Sequence, residues 1–454
     1  MPDTSPLPSH LLLAERAVPR YTSYPTAPHF TPAITAQDYT QWLAALRPGA
    51  SLSLYLHVPF CRELCHYCGC HTKAVRRPEP VAEYAERLVG EIALIASLCG
   101  SRRVMRIHWG GGTPGILGEP ALRWIAEALD EHFDLSELAE HAIELDPRYV
   151  TPWLARALAD MGVNRASLGV QEYSERVQAA IGRIQPLEVV RHAADCLYEA
   201  GIDKFSFDLM YGLPHQSVAD VRRTVELAAA LEPQRMALFG YAHVPWMKPH
   251  QRLIDERALP GAAERLDQAE TARRTLERLG YQPIGIDHFG LPGDEMAIAA
   301  AQGRLRRNFQ GYTTDACDAL IGFGASAIGR LPQGYVQNAR DTGGYERAIR
   351  SRSPAVDKGL ALDEDDRVRG RIIEQLMCNL TVDLERVALD DGRMITFEGT
   401  DELAFLGDYA REGIAKIEGR RVTITEDGRP FARLVASAFD AYLQRAQARH
   451  SVAV

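Results

Sequence analysis

Apolar and polar positions alternate in SLSLYLHVP, residues 51–59, with the period of two expected of a β-strand. The next segment, AEYAERLVGEIALIASL (82–98), switches to the 3.6-residue period of an amphipathic helix. RVMRIHWGGG (103–112) and PALRWIAEALDEHF (120–133) repeat the strand and the helix. HAIELDP, RASLGVQ, KFSFDLMYGLP and MALFGYAHVP read as further strands, with helices such as VVRHAADCLYEAG and VADVRRTVELAAAL between them. Six βα units are countable to about residue 245, which predicts a parallel sheet with right-handed crossovers. QPIGIDHFG (282–290) predicts one more edge strand.

Polar residues and glycines gather where the predicted strands end. Tyr55 and His57 share one face of the first strand, and His108 precedes Gly110, Gly111 and Gly112. Glu144, Gln171, Asp208 and Tyr241 close later strands. Contributions from every strand favour one common mouth, as in a barrel, over the single crevice of an open doubly wound sheet. The expected fold is α/β, a partial (β/α)6 TIM-like barrel over residues 51–350. Residues 1–50, with one short helix near Asp38–Ala45, read as an arm covering the substrate site. Residues 351–454 read as a small, mainly helical domain. DEDDRVRGRIIEQLMCNL begins a helix with an acidic first turn. IAKIEGRRVTITEDGRPFARLVASAFDAYL follows as a hairpin and a helix, an order similar to a winged helix. Such a module packs or covers as readily as it binds DNA.

The chain has 454 residues and a formal net charge of −9, which argues against nucleic acid or an anionic membrane as its main partner. The apolar run near the N-terminus, Leu11 to Ala14, is too short for a signal-peptide core, and no stretch is long enough to span a bilayer. A cytoplasmic location, where thiols stay reduced, is therefore expected. Four of the eight cysteines fall between Cys61 and Cys70, whereas Cys99, Cys196, Cys317 and Cys378 are scattered and read as small buried side chains.

Cys61, Cys65 and Cys68 stand in HVPFCRELCHYCGC with the spacing C-x3-C-x2-C. Thiolates this close in a reducing compartment point to a metal centre. Three ligands suit a [4Fe–4S] cluster with one iron left open. A structural zinc site using Cys70 as fourth ligand is the competing reading, although zinc ligands usually come as two pairs separated by a longer loop. Thioredoxin-like redox work is a further alternative, but the flanking sequence lacks that pattern. The glycines of HWGGGTP let a ligand approach the backbone and leave N–H groups free to bind its polar end.

The cysteine motif at the end of a first strand, with Tyr67 before its third cysteine, resembles the radical S-adenosylmethionine enzymes. PRYTSYPTA, FCRELCHYCGC, HWGGGTP, ELDPR, SLGVQ, DLMYGLP, DHF and NFQGYTT, between residues 19 and 314, together resemble the oxygen-independent coproporphyrinogen III oxidase family of haem biosynthesis. The resemblance implies metal ligation by Cys61, Cys65 and Cys68. It implies that Tyr55, Tyr67, Gly111, Gly112, Thr113, Glu144, Gln171, Arg183, Asp208, Ala242 and Ile328 hold S-adenosylmethionine, of which the family uses two molecules. In that assignment Glu144 takes an ammonium, Gln171 and Asp208 hold ribose hydroxyls, Arg183 meets a carboxylate, and the backbone at Ala242 and Ile328 reads adenine. Arg183 lies outside the predicted strands, where a solvated helix charge is the competing reading. Tyr55 and Cys70 are the candidate catalytic residues, and Cys70 is either a participant in substrate or radical handling or a passive thiol.

The implied activity is an oxidoreductase reaction. A 5′-deoxyadenosyl radical abstracts hydrogen from the β-carbon of a propionate, carbon dioxide and an electron are lost, and a vinyl group remains. Two rounds turn coproporphyrinogen III into protoporphyrinogen IX. His57 and His108 are expected to shape the cavity rather than move protons. In an acidic chain the four propionates need local cations, for which Arg20, Arg306 and Arg307 are candidates, and Tyr21 and Tyr24 could cover the macrocycle face. The other implied partner is a low-potential electron donor of flavodoxin or ferredoxin type, with the protein acting as a monomer. A haem-binding paralogue without oxidase activity is the nearest alternative, against which the PRYTSYPTA arm and Cys70 both count. A DNA-binding redox sensor is the alternative from another class, against which the acidic balance counts.

Overall fold

A computed structural model describes residues 8–443. Strands and helices alternate from β1 (Leu52–Val58) through α3 (Glu79–Leu98), β2 (Val104–Gly111), α4 (Gly118–His132), β3 (Glu140–Leu145), α5 (Pro152–Asp160), β4 (Arg165–Gln171), α6 (Leu187–Glu199), β5 (Lys204–Tyr211), α7 (Val218–Ala229) and β6 (Arg235–Gly240). Two short helices precede them, α1 (Pro8–Ala14) and α2 (Ala36–Ala44). All neighbouring pairs from β1 to β6 are parallel, as the six sequence units predict. One face of the strands is fully enclosed: Leu52, Leu54, Leu56 and Val58 of β1 are buried there, and so are Ile143, Leu168 and Phe207 on the neighbouring strands.

The register shows why the strand ends meet at one mouth. Tyr55 pairs with His108, but His108 pairs with Ala142, two residues before Glu144. Glu144 pairs with Ser167, two residues before Gly169, and Gly169 pairs with Asp208. From β2 to β3 and again from β3 to β4 the line of site residues therefore climbs the register by two, the stagger that tilted barrel strands need to keep their ends level.

The sheet does not stop at the six units. After β6 and α8 (Ala262–Arg278), β7 (Gln282–Ile284) and β8 (His288–Gly290) form a hairpin, and β8 pairs antiparallel with β6. The expected single edge strand is thus two strands, because Gly285, at φ +58, and the residues after it turn the chain back. On the other side, β9 (Ala319–Phe323) runs parallel to β1 and is followed by antiparallel β10 (Ile328–Leu331), β11 (Gly334–Asn338) and β12 (Val356–Ala361). One 12-stranded sheet results, in the order β12-β11-β10-β9-β1-β2-β3-β4-β5-β6-β8-β7.

A second core lies beyond it. Here α10 (Glu364–Asn379), α11 (Thr400–Arg411) and the three-stranded sheet of β13 (Thr381–Asp383), β14 (Ala415–Glu418) and β15 (Arg421–Ile424) enclose Ile372, Leu376, Leu406, Val422 and Phe439. Helix α10 starts as its acidic turn predicts, with a capping box between Asp363 and Asp366. The N-terminal segment is divided between the two cores. Leu13, Val18, Tyr21 and Tyr24 join the second core, whereas Tyr39, Leu43 and Leu46 join the main one. Among the described residues no helix is long and apolar enough to cross a membrane.

The junction between the parallel sheet and its antiparallel extension rests on one buried carboxyl. Glu91 of α3 accepts from Gly324 N–H (2.6 Å), from Asn338 Nδ2 (2.7 Å) and from the hydroxyl of Tyr345 (2.8 Å), on a helix (Thr342–Arg350) that packs against α3. Burial pushes its pKa up to about 7, against the pull of those three donors. Glu91→Gln replaces one acceptor by a donor, so Gly324 N–H or the Asn338 amide must face an N–H group. The expected loss in urea unfolding is about 1–3 kcal/mol. Because the folded pKa lies above the ordinary carboxyl value of 4.5, the folded state holds its proton longer than the unfolded one. Glu91 therefore removes stability progressively as pH rises from about 4.5 to about 7. The Gln variant should lack that part of the slope; equal slopes in both proteins would refute the assignment.

Candidate active site

The cysteine loop leaves β1 at its C-terminal end and is closed at its base by a parallel pair, Phe60–Cys61 with Lys73–Ala74. Cys65 is buried, Cys61 and Cys68 are half-buried, and Cys70 is exposed. Polar groups surround the sulfurs. Thr113 Oγ1 donates to Cys61 Sγ (3.6 Å), with Thr72 Oγ1 3.3 Å from the same sulfur, and Arg183 Nη1 donates to Cys65 Sγ (3.5 Å). The Cys68 thiol is drawn down to about 7, first by its hydrogen bond with Cys70 and then by the positive charges of Lys248 and Arg183, while burial opposes them. That same hydrogen bond pushes the Cys70 thiol well up. Cys61 is pushed up, chiefly by burial.

Among the described residues no three His, Cys, Asp or Glu side chains are placed to grip a single ion. The four-thiol zinc site is therefore not formed. The irons of a cluster occupy separate corners, so its thiolates stand further apart than those on one ion. Three thiols on one loop, with hydroxyl and guanidinium donors at their sulfurs, fit a [4Fe–4S] cluster in which hydrogen bonds to sulfur set the potential.

Sequence reasoning missed what holds the loop. Three side chains from residues 248–251 grip three of its carbonyls. Lys248 Nζ donates to Cys70 O (2.8 Å), His250 Nε2 to Cys68 O (2.7 Å) and Gln251 Nε2 to Tyr67 O (2.9 Å). His57 Nε2 adds a contact to His71 O at 3.0 Å. The only signal for the first three was a polar run, KPHQR, after the sixth strand.

The glycine loop packs against the cysteine loop, and the Gly111 and Gly112 N–H groups, expected from the sequence to be free for a ligand, are taken by protein acceptors. A Cβ on Gly112 would lie 2.4 Å from Phe60 O, and one on Gly111, at φ +107, would strike the His57 ring. Gly112 N–H donates to Val58 O and Thr113 N–H to Phe60 O, both at 2.8 Å. Beside them Glu144 accepts from His108 Nε2 (3.1 Å) and Gly111 N–H (3.2 Å). Burial works to raise the Glu144 pKa, but these donors prevail and hold it below its ordinary value. Tyr55 hydrogen-bonds His57 Nδ1 (3.0 Å) and stacks on His108. Burial pushes the Tyr55 hydroxyl far up and takes His57 down to about 4, so both are neutral at pH 7.

Further round the mouth, Asp208 accepts from Ser167 Oγ (3.1 Å), and burial together with the Glu144 charge pushes its pKa up to about 6. Gln171 ends β4 in the left-handed region, at φ +67, a conformation costly for a non-glycine residue. Arg183 is buried, not a solvated helix charge. Its Nη1 meets Asp146 Oδ2 (3.1 Å) as well as Cys65, and its Nη2 donates to Gly169 O (2.7 Å). The carboxylate that Arg183 meets is thus one the sequence reading overlooked, and Arg148 shares it. Tyr67 is within electrostatic reach of Arg183, Cys65, Cys68 and Asp146, and burial pushes its hydroxyl far up. Ala242 O accepts from Gln251 Nε2 (3.2 Å), and Ile328 begins β10, where its carbonyl passes within 2.9 Å of where a Cβ on Gly322 would stand.

The expected substrate cations separate sharply. Arg306 is neutralised by Glu374 (2.9 Å) and Asp390 (2.8 Å), so it braces the second core and is not available to a propionate. Arg20 and Arg307 make no such pairs among the described residues. Arg20 Nη2 donates to Gly240 O (3.3 Å), and Arg307 donates to Tyr21 O (3.1 Å) and Arg20 O (3.4 Å). Tyr21 and Tyr24 are core residues only 3% and 5% exposed, with the Tyr21 hydroxyl on Asp440 (2.9 Å), so neither ring is free to cover a macrocycle.

The Radical SAM superfamily matches residues 55–228, the stretch that carries both loops and the first five strands. The oxygen-independent coproporphyrinogen III oxidase of Bradyrhizobium diazoefficiens is 48% identical over 97% of this chain and 98% of its own length. That of Paracoccus denitrificans is 44% identical over 97% and 98%. The solved structure of coproporphyrinogen III oxidase (HemN) from Escherichia coli, described as a radical SAM enzyme, superposes with a TM-score of 0.88 at 34% identity. It covers 94% of this chain and is itself covered completely. With the thiol loop, the glycine loop and the acidic mouth already in place, these likenesses make the chain a member of the oxygen-independent coproporphyrinogen III oxidase family, within the radical SAM superfamily.

Proposed function

We propose that the protein converts two propionates of coproporphyrinogen III to vinyl groups by oxidative decarboxylation, giving protoporphyrinogen IX without oxygen. The observation that carries this reading is the convergence of Cys61, Cys65 and Cys68, the 110–113 loop, Glu144 and Asp208 on one mouth of the sheet. When bound, a [4Fe–4S] cluster and S-adenosylmethionine supply a carbon-centred radical that takes a hydrogen from the substrate.

The chain's own residues bind, orient and insulate. Cys61, Cys65 and Cys68 are the cluster ligands. Gly111, Gly112 and Thr113 offer a backbone that a ligand can approach closely, and Tyr67, within the cysteine loop, packs against the cluster of Val177, Ile181 and Leu213. Glu144, kept ionised by His108 and Gly111, suits an ammonium. Gln171 and Asp208 suit ribose hydroxyls, and Ala242 and Ile328 offer backbone to a base. Arg183 anchors the thiol side of the site through Cys65 and Asp146, from where it can meet a ligand carboxylate. Tyr55 and His57, both neutral, form a wall that holds no proton a radical step would need. Cys70, exposed beside Cys68, is the thiol suited to substrate or radical handling. Two molecules of S-adenosylmethionine, an electron donor of flavodoxin or ferredoxin type, a monomeric state, a cytoplasmic setting and the division at residues 50 and 350 belong to the same reading, supported by the family likeness.

The decisive assay is anaerobic. The reconstituted protein, given S-adenosylmethionine, a reductant and coproporphyrinogen III, should form protoporphyrinogen IX together with 5′-deoxyadenosine. Cys61→Ala should abolish both products and the visible absorption of the cluster. Deoxyadenosine without a vinyl product would place the substrate elsewhere, and undiminished turnover in air would refute the radical reading.

Asp208 gives an independent check. Its proton is held up to about pH 6, so protonation competes with ribose hydroxyls throughout the range below that value. S-adenosylmethionine affinity should weaken as pH falls through about 6, and Asp208→Asn should flatten that profile while lowering affinity about tenfold at neutral pH. Calorimetric titration of the reconstituted protein under nitrogen measures both effects. An unchanged profile in the variant would remove Asp208 from the cofactor site.

A further inference from the structure

Arg20, Arg265, Arg307 and Arg433 come from four separate parts of the chain and gather at the C-terminal ends of β5 and β6. Arg20 lies on Gly240 O, the last residue of β6. Arg265 donates to Tyr241 O (2.9 Å) and sits over the ring of Tyr211, the last residue of β5. Arg307 spans from Arg20 O to the face of Tyr312, 4.4 Å from its centroid. Arg433 is in electrostatic reach of Arg20, Tyr211, Asp287 and Arg307. Burial and mutual repulsion together lower the pKa of Arg20, of Arg265, and of Arg433, the last to about 10.

Like charges repel, and folded proteins normally match buried arginines with carboxylates. Elsewhere this chain does so: Arg235 with Asp294 (2.7 Å), Arg306 with Glu374 and Asp390, Arg148 with Asp146. Among the described residues the carboxylate acting on Arg20 and Arg307 at the mouth is Asp287, which is itself engaged by His288 Nδ1 (2.7 Å). Arg20 and Arg307 hydrogen-bond only backbone carbonyls among the described residues, and Arg307 Nη1 is buried with no hydrogen-bond partner. Arg20 nonetheless remains open to solvent in this concave wall. Rings border the cluster: His288 stands edge-on to Phe239 (5.6 Å) and Tyr312 (5.2 Å), which gives an apolar floor beside the positive groups. His288 is also in electrostatic reach of Asp208, so the cluster adjoins the cofactor side of the mouth.

We propose that this arginine cluster is the carboxylate-receiving end of the substrate site, with Arg20 and Arg307 as the groups that bind propionates of the porphyrinogen. The inference rests on the oxidase reading above and deepens it. A planar guanidinium takes a carboxylate in bidentate fashion, and an apolar floor beside it suits pyrrole rings. The propionates that bind here are those not undergoing decarboxylation in that round, since an ion pair with guanidiniums stabilises the carboxylate relative to the neutral carbon dioxide it would become.

Arg20→Gln and Arg307→Gln should each raise the KM for coproporphyrinogen III at least about tenfold. The cluster absorption and the affinity for S-adenosylmethionine should stay at wild-type values. Arg20→Lys and Arg307→Lys, which keep the charge and lose the fork, should recover part of the loss and guard against a mere folding defect. Coproporphyrin III should bind the wild-type protein more tightly than its tetramethyl ester, and the two Gln variants should erase that preference. Wild-type KM in both Gln variants, or equal binding of acid and ester by the wild-type protein, would overturn the proposal. Absence of protoporphyrinogen formation by the wild-type protein would instead overturn the oxidase reading, so the two failures are distinguishable.

Discussion

Everything at the mouth depends on holding an exposed polar loop still. Residues 61–72 carry the three candidate ligands but contribute few apolar side chains of their own, so hydrophobic packing cannot fix them. The fixing is done through the backbone. Lys248, His250 and Gln251 each grip one carbonyl of the loop, His57 approaches a fourth, and the base is closed by the pairing of Phe60–Cys61 with Lys73–Ala74. Each contact contributes about 0.5–1.5 kcal/mol net, or up to about 3 where the donor is charged. Together they offset part of the ordering cost of the loop, which is about 1–2 kcal/mol per residue for the backbone. The loop is thereby tied to the chain after β6 rather than to its own neighbourhood, so the first and last parallel strands must both be in place before the thiols are.

The second constraint is charge. Glu144 and Asp208 face one enclosed space, and both would be costly there as ions. The structure separates them. Glu144 receives His108 and the Gly111 N–H and stays ionised, whereas Asp208 receives one serine hydroxyl and the field of Glu144 and is pushed up to about 6. Two carboxylates of similar intrinsic acidity thus acquire different duties through their donors and their mutual repulsion. Tyr55 and His57, neutral between them, add no further charge.

The strands, the mouth and the cysteine and glycine loops were legible in the sequence because they depend on local pattern: a period of two, an abrupt glycine run, a fixed cysteine spacing. The antiparallel extension from β10 to β12 was not, because short strands paired across turns leave weak periodicity. Arg183 was misjudged in its setting, since nothing local reveals that Asp146, Cys65 and Gly169 O surround it. Arg306 and Arg307 are adjacent in sequence, and alternation in a short strand pair sends them to opposite fates. One is matched by Glu374 and Asp390, and the other is turned over Tyr312 towards Arg20. Tyr21 and Tyr24 stand in a motif that suggested contact with substrate, yet they serve the second core.

That last point changes the meaning of the N-terminal arm. Arg20 has an anchored residue on either side, Pro19 and Tyr21 both being buried, and Tyr21 is fixed by Asp440 near the other end of the described chain. An arginine on a free arm would lose much side-chain and backbone entropy on meeting a ligand. Here that cost falls on folding, because the arm is part of the second core. The second core therefore has a role at the mouth without lining it: it sets the position of Arg20 from behind and supplies Arg433 beside it. The second core is thus part of the physical means by which one end of an acidic protein is made locally cationic.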